Sequence, residues 1–242
     1  KGRDFSVSLI IPARNERGNI ESAILRCPVF GKNQEFIFVE GHSSDGTMEE
    51  LLRVQKAYPE KNIIVLRQTG KGKGNAVREA FDAATGEVLM ILDADLTTPP
   101  EELPKFYNAM VMGRGEFING CRLVYPMEKE AMRFLNLLAN KFFGLYFSFL
   151  LGQRLKDTLC GTKVLYKTDY EKIKANRAYF GDFDPFGDFD LLFGAAKLNL
   201  KIVEVLVRYR ERTYGTTQIS RFQHGWLLLK MSMFAAWKIK FI

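Results

Sequence analysis

Two aspartates one residue apart, Asp93 and Asp95, stand at the end of the apolar run Val88 to Leu92 in "VLMILDADLTTPPEELP". A carboxylate pair at the end of a buried strand has a definite chemical use. Hard divalent cations such as Mg2+ and Mn2+ prefer carboxylate oxygens. An ion held there bridges protein and diphosphate and neutralises charge building on a leaving phosphate. A D-x-D alone is equally explained by helix capping or an acidic surface turn. The apolar strand before it and the Pro-Pro helix start after it favour the metal. Polar residues also gather after the first apolar run (Ala13, Arg14, Asn15, Glu16) and after the second (Glu40, Gly41, His42).

These residues need a scaffold that brings strand ends to one rim. "SVSLIIP", "EFIFVE", "NIIVLRQ" and "EVLMILD" read as strands. Between and after them, "NIESAILRC", "SSDGTMEELLRVQKAY", "GNAVREAFDAATG" and "PPEELPKFYNAMVMG" read as helices. The second helix has Ser and Asp capping candidates, the third is closed by Gly86 as a C′ residue, and the fourth carries proline and glutamates in its first turn. Apolar strands alternating with helices predict an α/β fold with a mostly parallel sheet covered on both faces. Ligands in such sheets bind beyond the carboxyl ends of the strands. In the second half, residues 127–152 read as helix, "DTLCGTKVLY" as a loop entering a strand, "GDFDPFGDFDLLFGAAKLN" as entering a helix, and "KIVEVLVRYR" as a strand. The tail from Phe222 reads as an amphipathic helix, with Lys230, Lys238 and Lys240 among bulky apolar residues.

The 242 residues fit one large domain or two small ones, with enough length for a sizeable core. Lys plus Arg is 35 against 28 for Asp plus Glu, a net charge of +7 that suits phosphates, nucleotides or anionic lipid without choosing among them. Three widely spaced cysteines, Cys27, Cys121 and Cys160, argue against a disulfide framework or structural zinc and for a reducing compartment. Two histidines exclude a His-rich metal site. No signal-peptide pattern is visible, and "FFGLYFSFLLG" is too short to span a bilayer. No nucleic-acid-binding motif accompanies the basic charge. "GKGKGNA" lacks the GxGxxG order of a dinucleotide dehydrogenase, and "PARNERGN" lacks the Gly-rich phosphate loop of a nucleotidyltransferase.

Seven segments carry a resemblance: "SLIIPARNERGNI", "FVEGHSSDGT", "GKGKGNAVREAF", "ATGEVLMILDADLTTPPEELP", "INGCR", "DTLCGTKVL" and "VEVLVRYRERTYGTTQ". In this order they resemble family 2 glycosyltransferases with the Rossmann-like GT-A fold, nearest the dolichol-phosphate mannosyltransferase and polyprenyl-phosphate glycosyltransferase branch. The likeness runs from Val7 to Gln218. It implies a single catalytic domain over 1–220, with a nucleotide-sugar half at 1–122 and an acceptor half at 123–220. Residues 221–242 then form an amphipathic helix suited to a membrane surface. It implies inverting transfer from a nucleotide-sugar donor, GDP-mannose or a UDP-sugar, assisted by Mg2+ or Mn2+. Pro12, Ala13, Asn15 and Glu16 lie against the nucleoside by this resemblance, and Glu40 contacts base or ribose. Gly41 and His42 depart from the acid and glycine usual there. Lys73 faces the donor; Asp93, Ala94 and Asp95 form the metal and diphosphate motif; Thr97 stands where the mannosyltransferase branch often has glutamine. Arg212 belongs to an Arg-x-x-Gly element closing over the diphosphate, with Thr217-Gln218 in place of the usual Ser-Lys.

On the acceptor side the resemblance implies that Arg122 and Arg133 grip a polyprenyl phosphate, a task that suits arginine's planar fork. A phosphate acceptor is already ionised and needs positioning and charge neutralisation. A soluble hydroxyl acceptor needs a base, and Asp188 or Asp190 are then the candidates, with helix N-capping as the other use of Asp188. The implied location is cytoplasmic, peripheral on the cytoplasmic face of a membrane.

Overall fold

The computed structural model describes residues 4–122, 134–177, 188–215 and, in the tail, 230, 232–234 and 236–237. Among the described residues, seven strands form one sheet: β1 (Ser6–Ala13), β2 (Lys32–Glu40), β3 (Asn62–Arg67), β4 (Val88–Ile91), β5 (Phe117–Cys121), β6 (Lys163–Tyr166) and β7 (Ile202–Leu206), in the order β3-β2-β1-β4-β6-β5-β7. The β1–β2, β1–β4, β2–β3 and β5–β7 pairings are parallel, as the continuous apolar runs predict. Strand β6 is the exception: it lies antiparallel between β4 and β5. Its first residues therefore start at the rim where the parallel strands finish.

Helices cover the sheet, among the described residues α1 (Ile20–Leu25), α2 (Thr47–Ala57), α3 (Gly72–Ala83), α4 (Leu103–Val111), α5 (Phe134–Leu151), α6 (Lys167–Ala175) and α7 (Asp188–Lys197). The side-chain alternation of the strands sorts the core into two layers. Val7, Leu9 and Ile11 of β1 pack with Ile24, Leu51 and Phe106 of α1, α2 and α4. Ile10 of the same strand packs on the opposite face with Phe81, Phe147, Tyr170 and Phe193 of α3, α5, α6 and α7. Helices thus lie on both faces, as expected.

Several local readings change. Gly86 does not close α3: the helix ends at Ala83 and Ala84 is extended. The residue is glycine because a Cβ there would fall 2.6 Å from the Ser8 backbone nitrogen. Cap position before α2 belongs to Gly46 in a left-handed conformation (φ 85), while the Asp45 carboxylate accepts from the Thr47 N–H at 3.0 Å. The helix expected over 99–113 is a 3-10 turn, Pro100–Glu102, continued by α4. Helix α6 has no counterpart in the sequence reading; among its residues only Asp169, Tyr170 and Ile173 are buried, too few for a clear stripe. Residues 127–133 of the expected aromatic helix, and most of the tail from Phe222, lie outside the described residues. The described tail residues are helical.

Candidate active site

The C-terminal ends of β1, β2 and β4 are each followed by a non-glycine residue in the left-handed region: Asn15 (φ 55), His42 (φ 57) and Leu96 (φ 54). That conformation is uncommon outside glycine and costs free energy at each position. Here it turns the chain sharply at each strand end and keeps the polar residues on the rim. Hydrogen bonds hold the turns: Ser44 N–H donates to Asn15 Oδ1 at 2.9 Å, and Leu96 N–H to the Asp93 carbonyl at 3.1 Å.

Asp93 and Asp95 are each met by one side-chain cation. Lys73, in the first turn of α3, reaches Asp93 Oδ1 at 2.6 Å. Arg212 places Nη2 2.7 Å from Asp95 Oδ2 and Nη1 2.7 Å from Glu16 Oε1. Thr97 donates both its N–H (3.1 Å) and its hydroxyl (2.8 Å) to Asp95 Oδ1. The residue standing where a glutamine is common thus orients the carboxylate itself.

The surroundings drive the two carboxyls apart. Burial raises the pKa of both, but for Asp93 the charge and hydrogen bond of Lys73, with the charges of Lys163 and Arg122, outweigh it and hold the pKa below the usual carboxylate value. For Asp95, burial and the neighbouring Asp93 charge prevail over Arg212 and Thr97, and its pKa is raised. Glu16 is raised as well, by burial, against hydrogen bonding from Asn19 and the charge of Arg212.

Arg122 joins this rim from the end of β5, but the edge expected to face a phosphate is already used. Its Nε and Nη2 form a fork on Asp157 at 2.7 and 2.8 Å, and its backbone N–H adds a third bond to the same carboxylate at 3.0 Å. Asp157 is fully buried and the Arg122 side chain only 11% exposed. Burial disfavours the Arg122 charge, yet Asp157 more than offsets it and raises the pKa. The guanidinium lies 5.2 Å from the ring centroid of Tyr209, and its fork on Asp157 uses Nε and Nη2. The sequence reading quoted "DTLCGTKVL" without giving Asp157 a role. Glu204 secures the turn below it by accepting from the Lys156 and Asp157 N–H groups at 2.8 and 3.0 Å.

The same segment explains one glycine. A Cβ on Gly161 would fall 2.0 Å from Asp93 Oδ2. Gly161→Ala is therefore expected to push Asp93 off its position and lower turnover about 100-fold, with far-UV circular dichroism unchanged; a fully active alanine variant would show that the loop yields instead.

The remaining expected site residues divide. Ala13 and Ala94 are buried and Pro12 half-buried at the rim. Glu40 is buried; its Oε1 accepts from Ser43 N–H, and its Oε2 lies 3.9 Å from Arg67 Nε. Glu16 is buried at the rim, where Asn19 Nδ2 donates to its Oε2 at 2.7 Å and Arg212 Nη1 to its Oε1 at 2.7 Å. Asp190 accepts from Arg177 Nε at 2.9 Å, and Arg177 stacks on Tyr170, which bonds Asp82 in the last turn of α3. Lys73 marks the opposite end of that helix, roughly 14 Å along the axis from Asp82. Asp188 opens α7, its side chain outside the described residues, and Arg133 is outside them altogether.

Among the described residues no group of three or more His, Cys, Asp or Glu side chains forms a metal cage. Asp93 and Asp95 are nonetheless hard-oxygen donors, 28% and 15% exposed. That fits an octahedral cation that keeps water and ligand oxygens in most of its positions, as Mg2+ does.

Known proteins bear on the assignment. Dolichol-phosphate mannosyltransferase of Pyrococcus furiosus is 35% identical over 139 residues, covering 57% of this chain and 39% of that protein. Undecaprenyl-phosphate 4-deoxy-4-formamido-L-arabinose transferase of Pectobacterium carotovorum is 39% identical over 113 residues, 45% of this chain and 34% of that protein. Dolichol-phosphate mannosyltransferase of Saccharomyces cerevisiae is 36% identical over 109 residues, 43% of this chain and 40% of that protein. The chain thus spans about two fifths of the length of these relatives, or less. Among solved structures, glucosyl-3-phosphoglycerate synthase from Mycobacterium tuberculosis, in complex with Mn2+, UDP and glucosyl-3-phosphoglycerate, superposes with a TM-score of 0.67 at 17% identity over 97% of this chain and 80% of that one. That likeness is one of fold, and it bears out the GT-A expectation. Residues 8–173 match the model of the family described as Glycosyl transferase family 2. The match takes in the rim from β1 to β4 and exceeds half of the chain, and on that ground the chain belongs to glycosyl transferase family 2.

Proposed function

We propose that this chain is the catalytic domain of an inverting glycosyltransferase that moves a sugar from a nucleoside-diphosphate sugar, GDP-mannose or a UDP-sugar, to a polyprenyl phosphate. The observation that carries the reading is the convergence of Asp93 and Asp95 with Lys73, Arg212 and Arg122 on one rim of the sheet. In this reading Lys73 and Arg212 orient the donor diphosphate, and the 209–215 segment over the rim limits water. Asp93 and Asp95 would hold Mg2+ or Mn2+, which supplies Lewis-acid neutralisation of the leaving diphosphate. Arg122, fixed by Asp157 and Tyr209, offers its guanidinium to the acceptor phosphate. An ionised phosphate oxygen attacks the anomeric carbon, the bond from that carbon to the diphosphate breaks, and its electron pair leaves with the nucleoside diphosphate. No proton has to be removed, which agrees with Asp190 being engaged by Arg177.

The test is transfer from labelled GDP- and UDP-sugars with Mg2+ or Mn2+, offering undecaprenyl or dolichyl phosphate beside soluble sugars. Label in the lipid phase from one donor supports the reading. Label in a soluble sugar, with the lipid unlabelled, replaces it by transfer to a hydroxyl, with Asp188 or Asp190 as the base. No transfer from any donor refutes it.

A lipid acceptor requires the protein to work at a membrane surface, and we place it on the cytoplasmic face as a peripheral protein. No helix among the described residues is long and apolar enough to cross a bilayer. Phe142, Leu145 and Phe149 of α5 are 59%, 76% and 68% exposed. Their spacing of three and four puts them on one stripe. The tail joins this stripe through Tyr146, whose hydroxyl donates to the Ser232 carbonyl at 3.3 Å, and adds exposed Met233 and Trp237. Lys141 and Lys230 are exposed nearby in sequence, as an anionic surface requires. Leu145→Ser is expected to lower partitioning onto anionic vesicles about tenfold, the loss of one buried leucine, without altering thermal stability. Unchanged co-sedimentation would remove α5 from the membrane contact.

A further inference from the structure

We infer that Arg212 is an exchangeable counter-ion: its guanidinium holds the Asp95 oxygen that a divalent cation needs, and the donor diphosphate draws it away. Metal and donor then bind cooperatively through this one side chain. The inference rests on the reading of Asp93 and Asp95 as a metal seat.

The two cations at the carboxylates are mounted differently. Lys73 sits in the first turn of α3. Arg212 sits after β7 on a segment with neither helix nor strand, tied down by Arg210 N–H on the Thr97 carbonyl (2.9 Å) and the Tyr214 hydroxyl on Asp45 (3.1 Å). Tyr214 also packs over Gly18, where a Cβ would lie 2.5 Å from its ring. The segment is thus pinned on both sides of Arg212, while the side chain between the pins can change partners.

Arg212 also has two acids, on different nitrogens: Glu16 at Nη1 and Asp95 at Nη2. Leaving Asp95 does not strand it, because Glu16 keeps the other nitrogen. Asp95, by contrast, is poorly left bare: its side chain is only 15% exposed and stands beside a second carboxylate, and a largely desolvated charge without a counter-ion is unfavourable. The guanidinium therefore leaves only as another cation arrives. A diphosphate provides the freed nitrogens with the anionic oxygens that a guanidinium fork binds well. Under this scheme Glu16 is a positioning residue that retains Arg212 over the rim. By linkage, whatever the nucleotide adds to metal affinity the metal adds to nucleotide affinity.

The experiment is titration of the whole chain with Mn2+, followed by the electron paramagnetic resonance signal of the free ion, without nucleotide and with GDP or UDP. Arg212→Gln removes the competitor: Mn2+ alone is expected to bind about tenfold tighter than to wild type, a difference of about 1.4 kcal/mol, and the further gain from nucleotide is expected to shrink. Glu16→Gln leaves Asp95 as the acid for the guanidinium, and Mn2+ alone is expected to bind more weakly than to wild type. These opposite signs are not those of general loosening, which weakens both variants. Equal or weaker Mn2+ binding by Arg212→Gln overturns the exchange. Mn2+ binding that survives Asp95→Asn unchanged, or no binding even with nucleotide, overturns the metal seat itself.

Discussion

Asp95→Asn is expected to lower sugar transfer about 100- to 1000-fold, the scale for removing one charged group from a transition-state site, while the protein stays folded. Asparagine keeps the shape and one acceptor oxygen, so Thr97 retains a partner, but the charge that balances Arg212 and would hold a cation is gone. The expected stability change has a definite sign. The pKa of Asp95 is raised in the folded protein by burial and by Asp93. Its ionised form therefore opposes folding in the absence of metal, increasingly as pH rises from the unfolded value of 3.8 through the raised folded one. Neutralising it should leave the melting temperature at pH 7 equal or higher. Steady-state transfer assays alongside thermal denaturation check both halves. An active variant would remove Asp95 from the chemistry, and an inactive variant that has also lost its fold would leave the loss with packing.

The largest expected stability effect lies at Asp157→Ala. It strips the buried Arg122 guanidinium of both fork bonds and of the bond to its N–H. Breaking a buried ion pair from one side costs about 3–5 kcal/mol because the remaining charge is uncompensated. For a chain of this size that is a fall in melting temperature of about 10 °C. If Arg122 orients the acceptor, the milder Asp157→Asn should raise the KM for polyprenyl phosphate more than the KM for donor. Asp157→Glu should restore part of the acceptor affinity, which a purely structural role would not produce. Equal effects on both substrates would place the pair in the scaffold only.

Both expectations turn on a contrast in what the chain discloses. The Asp93–Asp95 pair was legible because its neighbours in sequence are also its scaffold: the apolar β4 before it and the proline-led turn after it. Lys73 and Arg212 were legible through the motifs around them, and both do reach the carboxylates. Asp157 and Arg122 are 35 residues apart and meet only after β6 inserts beside β5. Glu16 and Arg212 are 196 apart, so nothing local told that the two would meet. The direction of β6 was hidden for another reason: a four-residue strand reads the same whichever way it runs. Gly86 shows a signal correctly noticed and wrongly explained. Glycine after a helix suggests a left-handed stop, but here it allows close approach to Ser8. Helix α6 escaped because its outward face is charged and its buried face is small.

The antiparallel β6 has a further consequence. The chain leaves the rim at the end of β5, near Arg122, and re-enters it at the start of β6, two positions that are neighbours in the sheet. Among the described residues between them, α5 packs into the core through Phe143 and Phe147, and the turn after it carries Asp157 and Gly161. The strands β1 to β4, Lys73 and the two aspartates all precede this stretch in sequence, and Arg212 follows it. Any exchange of the stretch between relatives therefore has to keep a glycine at 161, the one residue type that leaves Asp93 its room.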